Sequence, residues 1–211
     1  MRPLLVALLA LALTTLAPAG GGALAETLGD ARVGFSAERI LVFNGQSYVG
    51  RMWHMPGEQR HEQDLPAVKP VFILRADSTL GDVVLPQLHT VVEFVLPKAL
   101  SVLNSPDLLG HPVGQESVNG VATTRYTVSE TVPEGHASGS LWLSSDGIPM
   151  KCDGRFEATN GKVSTVHWEL RHVKIGQQDA ALFEVPREYA KLPPEAVAPL
   201  LGLRLAPRPA H

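Results

Sequence analysis

The chain has 211 residues, 18 Lys and Arg against 21 Asp and Glu, one cysteine, and 45% apolar side chains. That length supports a single domain with a substantial core. The slight negative charge and the lack of a basic run exclude nucleic acid as a partner, and a lone thiol excludes an internal disulfide.

Residues 1–25 read as a cleaved signal peptide. Arg2 gives the positive end, residues 4–16 are an apolar run, and Ala23-Leu24-Ala25 is a small-x-small cleavage site. The run is shorter than the roughly 20 residues a bilayer crossing needs. No Cys follows Ala25 to carry a lipid anchor. The expected mature chain starts near Glu26, is exported to the periplasm and has no membrane span. It comprises one β domain over 26–192 and a Pro/Ala-rich tail over 193–211.

Residues 35–43 and 46–55 alternate around Asn44-Gly45, the signature of a hairpin with a type I′ turn. In that register Leu41 faces Tyr48, Phe35 faces His54 and Glu38 faces Arg51. Leu41, Phe43, Tyr48 and Met52 then share one apolar face. Pro56-Gly57 turns the chain into residues 59–64, whose polar side chains suit an edge or an exposed face. Residues 71–74 are a continuous apolar run, as in a strand covered on both sides. Strands at 83–85 and 90–94 flank a turn at 86–89. The clearest helix covers 97–104, with Pro97 at its first position and Leu96, Leu100 and Leu103 on one stripe.

Asn119-Gly120 centres another I′ hairpin, between 113–118 and 121–128, and 133–137 reads as a loop. Residues 138–175 form three strands joined at Asp146-Gly147 and Asn160-Gly161. Two-residue I′ turns there place Leu143 opposite Met150, Leu141 opposite Cys152, and Phe156 opposite Thr165. Leu141, Leu143, Ile148, Met150 and Cys152 share an apolar face; Trp142, Ser144, Lys151 and Asp153 make the wet one. Cys152 is therefore expected to be buried and inert. Asp179 can cap a turn at 180–183. Residues 196–205 are an apolar island in the tail, read either as part of a frayed terminus or as a segment that docks on apolar surface. About ten strands, nearly all joined to their sequence neighbours, give an antiparallel meander that its own twist will curl.

Several stretches, in order, resemble the Lol-type periplasmic lipoprotein carriers and receptors over about residues 35–189. They are Ser36-Ala37-Glu38 with Gly50-Arg51-Met52-Trp53 and Gln59-Arg60-His61-Glu62, then Leu85-Pro86 with Val91-Val92-Glu93. Gly114-Gln115-Glu116 with Thr124-Arg125-Tyr126 follows. Gly139-Ser140-Leu141-Trp142 with Ile148-Pro149-Met150, and Leu182-Phe183-Glu184-Val185-Pro186, complete the set. The resemblance implies a mainly β half-barrel: an open, strongly curved antiparallel sheet whose apolar concave face is covered by helix and loops. In the better-known relatives that face holds acyl chains. Here the cover would rest on 96–109, with at most a short helical segment around 26–32.

Nothing in the sequence argues for catalysis. Eight histidines show no metal-ligand spacing and read as scattered surface or half-buried groups. Glu38, Arg51 and Glu62 read as a cross-strand charge row. No Gly-x-Ser-x-Gly elbow or phosphate loop occurs, and no cofactor or metal is expected. An apolar groove needs no motif to bind: about 0.8 kcal/mol per buried CH₂ gives a sixteen-carbon chain on the order of 12 kcal/mol before entropic costs. The expected function is a periplasmic, non-catalytic binder or carrier of a lipid, an acyl chain or a lipidated partner. Its candidate contacts are Leu41, Tyr48, Met52, Leu141, Leu143 and Met150 from the sheet and Leu100 and Leu103 from the helix. The alternative is an envelope protein-interaction or sensing module of the same fold.

Overall fold

The computed structural model describes residues 24–65, 68–95 and 107–197. A short strand, β1 (Glu26–Thr27), precedes a meander of β2 (Phe35–Phe43), β3 (Gln46–Met55), β4 (Glu58–Gln63), β5 (Val71–Arg75), β6 (Leu80–Leu85) and β7 (Thr90–Val95). A second meander follows: β8 (Leu109–Val118), β9 (Val121–Val132), β10 (Gly135–Ser144), β11 (Pro149–Ala158) and β12 (Val163–Ile175). β12 returns to pair with β2, which fuses both runs into one open sheet. β1 adds to β8 at one end, and β13 (Ala190–Lys191) adds parallel to β7 at the other. The order is β1-β8-β9-β10-β11-β12-β2-β3-β4-β5-β6-β7-β13. The class is the mainly β open sheet expected, with thirteen strands rather than about ten. Beyond the expected set lie β1 and β13, two residues each and too short for a pattern. One α-helix, the four residues Pro194–Val197, is present among the described residues. The expected helix at 97–104, with Leu100 and Leu103, lies outside them, as do residues 1–23 and 198–211.

The sheet curls strongly. Gln59 on β4 and Leu143 on β10 line one cavity, although a flat sheet would separate their strands by about 24 Å, five spacings of roughly 4.8 Å. Asn119, at the tip of the β8–β9 hairpin, likewise donates to Leu170 O of β12 at 2.8 Å. The inner face holds the main core, which runs from Phe35, Leu41 and Met52 through Phe72 and Val83 to Leu141, Met150, Cys152 and Leu170. The segment after β12 crosses the outer face instead. Asp179 caps the single turn Ala180–Phe183 by accepting from Ala181 N at 3.0 Å, as expected. Arg60 and Arg75 donate to Leu182 O and Phe183 O. Val71, Ile73, Val84 and Val91 pack there with Val185 and Tyr189, so β5 is covered on both sides.

Turn chemistry corrects the register in two places. At Asn44-Gly45 and Asn119-Gly120 both residues take positive φ, as a I′ turn requires, and Leu41 faces Tyr48 and Phe35 faces His54. Asp146 and Asn160 do not take positive φ; Gly147 (+82°) and Gly161 (+77°) do. Gly147 N donates to Ser144 O and Gly161 N to Ala158 O, which makes each a type I turn followed by a left-handed glycine. The loops gain one residue. Phe156 therefore faces Ser164, not Thr165, and Leu143 faces Pro149, not Met150. A bulge between Trp142 and Leu143 restores the expected Leu141–Cys152 pair.

Other expectations change as well. Residues 133–137 make the tight β9–β10 connection rather than a loop, with β10 starting at Gly135. The 26–32 segment is not helical: it carries β1 at Glu26–Thr27 and then bends, with Gly29 at φ +60°. β4 is an interior strand between β3 and β5, not an edge, and it buries His61 and Gln63. Trp142 faces outward but is covered: Lys151 Nζ lies 4.3 Å from the ring centroid, and Glu116 accepts from its Nε1 at 3.0 Å.

Candidate ligand-binding cavity

Strand alternation delivers side chains of β2, β3 and β4 to the inner face in rows. Phe35, His54 and Gln59 make one row, Ala37, Met52 and His61 the next, and Arg39, Gly50 and Gln63 the third. A polar column thus interrupts the apolar floor. Arg39, His54, His61 and Gln63 are all buried, none more than 4% exposed. Gly50 is what lets the column form. A Cβ there would lie 2.3 Å from Glu62 O and 3.1 Å from Gln63 Oε1, so bare backbone allows β4 this close, and the Arg39 side chain crosses it.

Arg39 Nη1 donates to His61 Nδ1 at 2.9 Å, and its Nη2 lies 3.4 Å from Gln63 Oε1. A guanidinium has no acceptor, so His61 Nδ1 must accept and its proton sits on Nε2. That Nε2 donates to Gln59 Oε1 at 3.0 Å. Burial, with the nearby Arg39 and His54 charges, holds His61 well below the usual histidine range and keeps it neutral. Gln63 spends its amide on Val49 O at 2.8 Å. Arg39 therefore meets only neutral partners among the described residues, and its Nε is buried with no partner there. Burial pulls its pKa down to about 10, so the side chain still carries its charge at neutral pH. A buried, unpaired charge costs several kcal/mol even after relaxation.

The segment before β2 closes the cavity from the other side. Leu28 N bonds Leu108 O, Arg32 N bonds Asp146 O, and the Arg32 guanidinium reaches Ser145 O. Asp30 Oδ1 accepts from His54 Nε2 at 2.8 Å and Oδ2 from Gly57 N at 2.7 Å. Burial alone would raise the Asp30 carboxyl, but the His54 bond, the Gly57 amide and the His54 charge bring it below its ordinary 3.8. His54 Nδ1 donates to Val33 O at 3.0 Å, and the ring stacks on Phe35 at 5.0 Å. Both its nitrogens are engaged by oxygen atoms of the preceding segment, which holds the ring in place. Cys152 is fully buried, and burial first, then Asp153, pushes its thiol well up. No group of three or more metal-ligating residues occurs among the described residues.

These residues enclose a cavity lined by Leu28, Met52, Leu141, Leu143 and Trp168, with Arg39, His54 and His61 as its polar side. Its free volume is about 50 Å³, and about 670 Å³ of unfilled space surrounds it when the open mouth is counted. Of the eight expected contacts, Met52, Leu141 and Leu143 line it. Leu41, Tyr48 and Met150 are buried in the same core without lining it. The sequence reading missed Arg39, His54 and His61 as inner-face groups; parity with Leu41 marks Arg39 and parity with Met52 marks His54, while His61 takes its face from the β3–β4 register. Glu38, Arg51 and Glu62 do form one cross-strand row, on the outer face.

The fold and cavity define an open, curled β sheet with a covered inner face. No family model matches the sequence, and no curated protein matches it. Solved structures do. An uncharacterised conserved protein from Thermus thermophilus has a TM-score of 0.50 at 13% identity, over 76% of this chain and 90% of that one. MucB, in its complex with MucA from Pseudomonas aeruginosa, gives 0.45 at 14% identity, over 75% of this chain and 58% of that one. A LolA superfamily protein from Nitrosomonas europaea gives 0.41 at 10%, over 74% and 92%. A LolA superfamily protein is thus among the structural neighbours, and at these identities a likeness is one of fold alone. No helix among the described residues is long and apolar enough to cross a membrane.

Proposed function

We propose that the protein is an exported, non-catalytic binding or carrier protein that seats a lipid or acyl chain on the inner face of its half-barrel, in the periplasm. The observation that supports this is the cavity itself, walled by Leu28, Met52, Leu141, Leu143 and Trp168 and continuous with an open mouth. Its volume is far below the ~150 Å³ that holds benzene in an engineered cavity. An acyl chain therefore enters by displacing part of the cover, in particular residues 28–31, and its burial energy offsets that displacement. The test is mass spectrometry of the organic extract of protein purified without detergent from its native envelope, beside Leu143→Glu. An acyl chain that accompanies the wild type and is lost from a folded Leu143→Glu variant supports the reading. Wild-type protein that is lipid-free and takes up no fatty acid refutes it.

One observation favours the alternative, an envelope protein-interaction module. Among the described residues, β1 covers only Leu109 and Gly110 of the outer edge of β8, and unpaired strand edges accept partner strands. Pro112 and the adjacent bulge blunt that edge. Crosslinking from Gln115 to a defined envelope protein, in material free of lipid, would favour this second reading.

A further inference from the structure

We infer that the cavity is built for the head of an anionic single-chain amphiphile: the carboxylate of a fatty acid, held by Arg39, with its tail against Met52, Leu141, Leu143 and Trp168. The inference rests on the acyl-chain reading and names the ligand's head. Three observations carry it. Arg39 is buried on the inner face, lines the cavity, and has an Nε with no partner among the described residues. Its partners His61 and Gln63 are neutral, so no described group balances its charge. Among the described residues the one carboxylate on the cavity wall, Asp30, is engaged by His54 and the Gly57 amide. The cavity thus presents an unbalanced positive charge beside an apolar wall.

The shape of the site selects the head. The guanidinium is a planar fork that pairs with a carboxylate through two parallel N–H···O bonds. The free volume of about 50 Å³ is several times the ~10–15 Å³ of probe-sized space that one water needs, which suits a small planar group. His61 fixes the fork from behind through Nη1 and leaves the Nε edge for the ligand. The tail then follows the apolar wall toward the mouth. An alcohol of the same length could use that wall but would leave the buried charge unbalanced.

The experiment measures equilibrium binding of palmitate, hexadecanol and hexadecyl phosphate to delipidated full-length protein, wild type and Arg39→Met. A charge-assisted hydrogen-bonded pair corresponds to a preference of about 10- to 100-fold, so palmitate is expected to bind wild type at least ten times tighter than hexadecanol. It should also outcompete the bulkier phosphate. In Arg39→Met the preference for palmitate over hexadecanol should vanish while hexadecanol binding persists. Equal binding of palmitate and hexadecanol by wild type overturns the inference and leaves the acyl-chain reading standing. A preference that survives Arg39→Met, or a stronger preference for the phosphate, overturns it too. If none of the three binds, the acyl-chain reading fails and takes the inference with it. Should Arg39→Met fail to fold, the wild-type comparison of palmitate with hexadecanol decides alone.

Discussion

Asp30→Asn tests whether the segment before β2 is pinned as described. The change keeps the shape and removes the charge that accepts from His54 Nε2 at 2.8 Å and Gly57 N at 2.7 Å. A hydrogen bond to a charged group contributes about 1.5–3 kcal/mol. Asp30 is 31% exposed and His54 only 1%, so water can replace part of what the carboxylate supplies but little of what the ring loses. The expected loss is therefore at the lower end, about 1.5–2 kcal/mol at pH 7. At about 2–4 °C per kcal/mol for a domain of this size, the melting temperature should fall by about 3–8 °C. The pH dependence gives a second reading. The folded value lies below the ordinary 3.8, so this contribution is fully present above pH 3.8 and is lost as the pH falls through the lower folded value. Wild type and variant should thus differ by a constant amount from pH 5 to 7 and converge in acid. Urea titrations at several pH values measure this. Equal stability at pH 7, or a gap that widens in acid, would refute the pinning.

Gly50→Ala should destabilise by more than the usual surface substitution, because its Cβ would sit 2.3 Å from the Glu62 carbonyl; a urea midpoint within error of wild type would contradict the close β3–β4 approach. Cys152 should react slowly with a thiol reagent in native protein and quickly once unfolded, since it is wholly buried and its thiol is pushed up. Leu141→Ala should cost about 2–5 kcal/mol, read from the same titrations, because the residue is buried against the cavity. Asn119→Ala should cost about 1–2 kcal/mol, since a non-glycine residue without an amide side chain is held at φ 49° and the bond to Leu170 O is lost.

Much of the β2–β3 hairpin was legible because Asn44-Gly45 fixes both turn type and register, and alternation then fixes the faces. The same logic misplaced Leu143 and Phe156 by one residue. Asp-Gly and Asn-Gly also serve a type I turn closed by a left-handed glycine, and a dipeptide does not distinguish the two. β4 was misjudged for a different reason. Gln59, His61 and Gln63 look like surface residues, and nothing local reveals that Arg39 reaches across Gly50 to satisfy His61.

The sequence by itself determined the long strands, the hairpin partners and most of the apolar inner face, because turns and period-two alternation act between neighbours along the chain. Only the tertiary structure decided the rest. The pairing of β12 with β2 joins residues more than a hundred positions apart, and curling brings β4 and β10 onto one cavity. Burial then acts on what that geometry assembles. Arg39, ordinary as a letter in a strand, becomes a charge without a counter-ion among the described residues because six strands and the preceding segment close around it and exclude the water that would otherwise solvate it.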